Sequence, residues 1–202
     1  MKNTFAIAIA AFAISAAPAL AQTTGTSGTT KLHHAKSSSA KVSDDAFVKK
    51  AAVGGMEEVE LGNLAKQKAS SNDVKQFGDR MVTDHSKADD QLKQVAQQKN
   101  VQLPTSLDAK HKATVDRLSK LSGDAFDKAY MKEMLTDHEH DVAAFKKEST
   151  SGKDAAVKQF ASNTLPTLED HLKLAQDTAS KVGVSAAAAP SGHKKSKKGS
   201  GL

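Results

Sequence analysis

Apolar and small residues recur every three or four positions along four long stretches of the chain, and between those stretches the pattern lapses. The first runs from a Ser43/Asp44 cap to about Ala69 and carries Phe47, Ala51, Gly54, Leu61 and Ala65. The second starts after Asn72, a good N-cap residue, and carries Val74, Phe77, Met81, Ala88, Leu92 and Val95. The third follows Gly123 with Asp127, Tyr130, Met131, Met134, Val142 and Phe145. The fourth follows Gly152 with Val157, Phe160, Ala161, Leu165, Leu168, Leu172 and Ala175. A repeat of three and four residues puts each set on one face of an α-helix, so four long helices with one buried face each are expected.

The lengths of the connections choose among bundle topologies. The first and second helices, and the third and fourth, are separated by only a few residues, which makes two antiparallel hairpins. The link from Asn100 to Ser122 is much longer. It opens on Leu103-Pro104 and includes a shorter amphipathic helix at roughly Leu107 to Leu121. Such a link can run the length of the bundle and set the third helix parallel to the second, the one-crossover arrangement of ferritin-like folds. The hairpins also echo each other: Asp45-Ala46-Phe47 against Asp124-Ala125-Phe126, and Val74-Lys75-Gln76-Phe77 against Val157-Lys158-Gln159-Phe160. The expected fold is an all-α, ferritin-like four-helix bundle over residues 44–182.

Outside that span the composition changes. Met1–Ala21 has a positive start, a short apolar run and small residues before Gln22, the pattern of a cleaved signal peptide. The protein is therefore expected to be exported, periplasmic or outer-membrane-associated, with no transmembrane span in the mature chain. Residues 22–43 and 183–202 lack an apolar period and are expected to be a disordered linker and a disordered basic tail. The chain has no cysteine, so its stability must come from burial rather than disulfides.

Net charge is +6, yet all 23 acidic residues lie between Asp44 and Asp177. Nine of the 29 Lys and Arg lie outside that span, which leaves the bundle slightly acidic. This charge distribution argues against sequence-specific nucleic-acid binding. The cluster Lys194, Lys195, Lys197 and Lys198 is instead a candidate for binding an anionic envelope surface.

At 100° per residue, one ionisable residue falls on each buried stripe: Glu58, His85, His138 and His171. Counted from the hairpin turns, Glu58, His85 and His138 share a level at mid-bundle. His171 stands about one turn (~5.4 Å) off that level, and Pro166 is expected to kink its helix. Glu57 falls on a flank. Imidazoles and a carboxylate on facing helices suit iron, manganese or zinc, with Asp84, Asp127 and Asp170 as candidates to orient the ligands and Asp89 and Asp141 nearby. The alternative for the same residues is a polar layer that sets bundle register. Gly54-Gly55 is expected to allow close helix approach or a local break beside Glu58.

Taken together, Gly54-Gly55-Met56-Glu57-Glu58-Val59-Glu60-Leu61-Gly62, Phe77-Gly78, Asp84-His85, Phe126-Asp127, Tyr130-Met131, His138 and Leu165-Pro166 with His171 resemble an exported bacterial ferritin-like family of unknown function, often labelled membrane or outer-membrane protein. The resemblance implies the ferritin-like fold and no established activity. Di-iron ferritin-like enzymes carry Glu-x-x-His on two helices. Val82 and Leu168 stand where those glutamates would be, which argues against ferroxidase chemistry. Two functions follow as expectations. The first is a non-enzymatic exported protein with a stress-related or surface-associated role. The second is a metal-binding bundle with possible oxidoreductase activity.

Overall fold

The computed structural model describes residues 35–185. Among them are five α-helices and no strand: α1 (Ala35–Lys68), α2 (Asn72–Lys99), α3 (Ala109–Ser119), α4 (Gly123–Ser151) and α5 (Ala155–Lys181). None of these helices is long and apolar enough to cross a membrane. The expected signal peptide and the Lys194–Lys198 cluster lie outside the described residues.

Contacts at the two ends of the bundle fix the helix directions. Lys181 at the end of α5 pairs with Asp73 at the start of α2 (2.8 Å), and Lys99 at the end of α2 pairs with Asp154 just ahead of α5. Asp127 in the first turns of α4 accepts from the backbone N–H of Ser70 (3.2 Å) and Ser71 (2.8 Å) in the α1–α2 turn. Asp44 in α1 does the same for the α4–α5 turn, accepting from Lys153 N (3.0 Å) and Asp154 N (2.6 Å). Each hairpin thus satisfies the free amides at the turn of the other, and both carboxylates are buried. The result is two antiparallel hairpins, α1–α2 and α4–α5, with α4 parallel to α2. This all-α four-helix bundle has one long crossover, and the crossover carries α3.

Three boundaries differ from the sequence expectation. α1 begins at Ala35, ahead of the Ser43/Asp44 cap, so part of the expected 22–43 linker is helical. Serine is the commonest residue of that segment, with no glycine or proline to break a helix, and propagation from a nucleated helix adds one backbone hydrogen bond per residue. Asp44 is spent on the α4–α5 turn rather than on its own helix. α2 is preceded by Ser71 rather than Asn72 in the N-cap position. At the other end, Gly183 takes a left-handed φ of 76° and Val184 N–H bonds back to Ala179 O at 2.9 Å. This closes α5 in a Schellman-type turn, with Val184 packed on the core. The first residues of the expected 183–202 tail therefore belong to the fold.

The core consists of two apolar clusters in sequence-reversed order on alternate helices. One holds Leu61, Ala65, Val74, Phe77, Met81, Phe126, Tyr130, Met134 and Ala175; the other holds Val48, Ala52, Leu92, Ala96, Phe145, Phe160 and Leu168. On every long helix the change from one cluster to the other falls at the ionisable residue: between Ala52 and Leu61, Met81 and Leu92, Leu135 and Phe145, Leu168 and Ala175. The buried stripe of α1 is centred on Val48 and Ala52, with Phe47 packed edge-on to Phe145 at 4.9 Å. α5 runs unbroken through Pro166, which is exposed on its outer face.

Helices α1 and α2 touch backbone to backbone at Gly62 and Gly78. A Cβ on Gly62 would stand 2.7 Å from Gly78 O, and one on Gly78 would stand 2.8 Å from Gly62 O. At Gly54 a Cβ would meet nothing within 4 Å. Equilibrium denaturation should therefore separate the glycines by sign. Gly54→Ala gains about 1 kcal/mol from helix propensity. Gly62→Ala and Gly78→Ala each lose about 1–3 kcal/mol, because overpacking outweighs that gain. Equal stabilisation by all three substitutions would contradict the close backbone contact.

Candidate metal centre

Each helix of the bundle contributes one side chain to a layer at mid-height: Glu58 from α1, His85 from α2, His138 from α4 and His171 from α5. All four are buried, none more than 6% exposed. The imidazole ring centroids are 5.2 Å (His85–His171), 5.4 Å (His138–His171) and 5.8 Å (His85–His138) apart. His171 is thus level with the others, not one turn away. The count of residues from the turn neglects the tilt of each Cα–Cβ bond toward its helix N-terminus. On antiparallel neighbours that tilt acts in opposite directions. His138 is carried away from the α4–α5 turn and His171 toward it, and the two meet.

The hydrogen bonding of the layer is lopsided. His138 Nδ1 donates to Met134 O on its own helix at 2.9 Å. His171 Nε2 donates to Asp84 Oδ2 at 2.9 Å, and Asp84 is itself held by Arg80 one turn earlier. These contacts fix the tautomers and leave His138 Nε2 and His171 Nδ1 as bare lone pairs. Both nitrogens are shielded and have no partner in the protein, as is His85 Nε2. One nitrogen of each imidazole lies within 4.8 Å of one from each of the others. Tetrahedral zinc at its usual bond lengths sets neighbouring donors about 3.3 Å apart, so a closure of no more than about 1.5 Å brings the three into bonding range.

Glu58 stands on the other side of two of the rings, against Nδ1 of His85 and His138 rather than the bare Nε2 atoms. Its Oε2 is 2.8 Å from His85 Nδ1, and its Oε1 is 3.3 Å from His138 Nδ1. Neither contact is a hydrogen bond: the first is out of alignment, and His138 Nδ1 already donates to Met134. Both carboxyl oxygens are therefore buried without a donor. Burial pushes Glu58 up from the usual carboxylate range, against a downward pull from His138. It pushes His85 and His138 down, and His171 down to about 4. Burial thus favours the uncharged form of each of these groups. A cation at the three nitrogens would reverse that preference and favour the carboxylate.

Of the residues expected to orient the ligands, Asp84 does so. Asp127 is at the bundle end, committed to the α1–α2 turn, and Asp170 is exposed on α5. Asp89 lies beside His85 and is pushed up to about 6, chiefly by burial. It fits because Gly55 has no side chain; a Cβ there would run into its carboxylate. Gly55 thus makes room for an acid rather than breaking α1. Sequence patterning missed Glu57 and Asp137. Glu57 is only 5% exposed, because the crossover covers the flank on which it sits, and His111 of α3 comes within 3.7 Å of it. Burial lifts Glu57 and Asp137 each to about 7, helped by neighbouring carboxylates. Tyr130, read from sequence only as an apolar position, buries a phenol oxygen with no partner.

A family model for a domain of unknown function, DUF4142, matches residues 29–178. Among solved structures, the chain is similar to a DUF305 protein of Streptomyces coelicolor that carries a secreted-protein designation. The TM-score is 0.61 at 15% identity, over 75% of this chain and 99% of that one. At that identity the likeness concerns the helical fold alone, and neither match singles out ferritin-like relatives. No curated protein matches the chain.

In the metal-free protein, the His171 ring resonances should titrate near pH 4 rather than 6.5. The unfolded imidazole takes up its proton first, so His171 stabilises the fold above about pH 6.5 and loses that contribution as pH falls toward 4. Glu57 and Asp137 act in the opposite sense. Their contribution is complete below their unfolded values and is lost as pH rises through about 7. Urea denaturation of wild type against His171→Gln isolates the first effect. From pH 7 to 4 the wild type should lose on the order of 3 kcal/mol relative to the variant. Parallel pH profiles would show that His171 titrates normally.

Proposed function

The chain belongs to the DUF4142 family, a domain of unknown function, and for this member we propose an exported metal-binding protein whose mid-bundle layer holds one divalent transition ion. The observation that carries this is the convergence of three buried imidazoles, each with one nitrogen lacking any protein partner. In two of them the other nitrogen is already hydrogen-bonded. A polar layer that merely set bundle register would pair its groups with one another. Here the two oxygens of Glu58 and three imidazole nitrogens are left over, each carrying a desolvation penalty of about 1–3 kcal/mol.

His85, His138 and His171 would be the ligands, with Glu58 against the far, Nδ1 side of the His85 ring, where an ionised carboxylate would accept from it and orient it. Asp84 and the Met134 carbonyl orient two of the rings. Nitrogen donors with one carboxylate behind them suit zinc, iron or manganese, and three protein nitrogens leave room for a further ligand, the arrangement of Lewis-acid sites. Export is supported by the Met1–Ala21 pattern and by the secreted-protein designation of the structural neighbour. Placement in the periplasm or at the outer membrane belongs to the same proposal. The Lys194–Lys198 cluster, the candidate for binding an anionic surface, lies outside the described residues. The arrangement of the layer favours the metal-binding alternative. Oxidoreductase activity is not part of the proposal, because Val82 and Leu168 stand where both Glu-x-x-His glutamates of the di-iron enzymes would be.

Protein purified without a histidine tag and stripped with chelator should take up one equivalent of Zn²⁺ or Co²⁺ by calorimetry. It should gain about 2.7 kcal/mol of stability at a free-ion concentration one hundred times Kd. His85→Ala/His138→Ala should abolish both effects. A chain that binds no ion and melts at the same temperature with and without Zn²⁺ would remove the proposal.

A further inference from the structure

Beside the imidazole layer, between α1, the start of α3 and α4, lies a cleft of about 840 Å³. Its base is acidic: Glu57, Glu58, Asp137 and Asp141 all line it. Glu57 and Glu58 are 5% and 2% exposed, and the lysines that line the cleft, Lys49, Lys50 and Lys110, are exposed at its mouth. Both oxygens of Glu58, and Oδ2 of Asp137, are shielded without a hydrogen-bond donor. His111 reaches Glu57 only at 3.7 Å, while its other nitrogen is held by Asp108 at 2.7 Å. Four carboxyl groups therefore line one cleft, close enough to repel one another when ionised. Such a cluster is tolerable only when protons or a positive ion occupy it.

We infer that the base of this cleft is a second cation site, which captures a hydrated divalent ion on carboxylate oxygens and supplies it to the neighbouring imidazole layer. The inference rests on the proposed metal-binding function. The donors are all oxygen, the choice of hard ions such as Mn²⁺ or Mg²⁺. The acids are not drawn together into a tight three-ligand group, unlike the imidazoles. The volume leaves room for an ion that keeps part of its water shell, as small hard cations do. Glu58 is the shared element: it lines the cleft and touches Nδ1 of His85 and His138, 2.8 and 3.3 Å away, so the cleft reaches the back of the imidazole layer.

The layer also borders a smaller cavity of about 140 Å³ between α2 and α5, lined by His85 and His171 themselves. That side is nearer the ligands but electrostatically poorer. Asp84, already paired with Arg80 and His171, is the one carboxylate lining it, and Lys87 lies at its rim. Two routes to one site make opposite kinetic predictions. Clustered acids raise cation association rates by 10-fold or more, and the gain falls with salt.

Full-length protein loaded with one equivalent of Zn²⁺ should still remove one equivalent of Mn²⁺ from solution, read as loss of the free-ion electron paramagnetic resonance signal. Glu57→Gln/Asp137→Asn should lose that second equivalent and keep the Zn²⁺. In stopped-flow loading of metal-free protein with Co²⁺, the same double variant should associate about tenfold more slowly, with a flatter salt dependence and the same final visible spectrum. Helical circular dichroism, unchanged in the variant, excludes misfolding as the cause. Zn²⁺ uptake without any Mn²⁺ uptake would overturn the second site and leave the imidazole site standing. A Co²⁺ rate unchanged in the double variant, or slowed instead by Thr167→Phe in the α2–α5 cavity, would overturn the transfer route. Failure to hold Zn²⁺ at all would remove both this inference and the function on which it rests.

Discussion

The layer of Glu58, His85, His138 and His171 divides what would otherwise be a continuous apolar core. Leu or Met at these positions would join the two clusters and avoid the desolvation of four polar side chains. Every helix instead gives up one buried position at the same height. Two imidazoles are oriented by hydrogen bonds on one nitrogen and left bare on the other. On the proposed reading, a cation at the centre would resolve that imbalance by satisfying the bare nitrogens and favouring the ionised form of Glu58. The same reasoning extends to the neighbouring acids, whose mutual repulsion eases when positive charge is placed among them.

The scaffold that holds the layer level is built from short-range devices. Asp44 and Asp127 clamp each hairpin to the turn of the other, so the two pairs of helices cannot slide along the axis without losing buried hydrogen bonds. Gly62 and Gly78 set α1 and α2 in backbone contact, and Gly55 leaves space for Asp89 beside His85. The crossover supplies α3, which covers the flank of α1 and turns Glu57 from a surface residue into part of an acidic cleft.

Much of this was legible in the chain. Stripe periodicity gave the helices, and the unequal connections gave the parallel setting of α2 and α4. The one polar residue per stripe marked the layer before any coordinates. What remained hidden depends on geometry that periodicity does not carry. His171 seemed one turn out of level because counting from the turn ignores the opposed Cβ tilts of antiparallel helices. Asp127 looked like a candidate neighbour of the layer because a helical wheel records angle and not height; its carboxylate serves a turn at the bundle end. Glu57 and Asp137 were invisible because a stripe analysis assigns flanks to solvent, whereas here a crossover helix covers one of them. The start of α1 at Ala35 was missed because a helix, once nucleated, can propagate through a segment that carries no apolar period.

The most direct test of the central claim is a crystal structure of Zn²⁺-loaded protein with anomalous scattering recorded at the zinc edge. The account predicts one strong peak at mid-bundle, about 2.0–2.1 Å from His85 Nε2, His138 Nε2 and His171 Nδ1, with Asp84 still bonded to the far side of the His171 ring. Ordered water bridging the three rings, with no zinc peak in the layer, would contradict it.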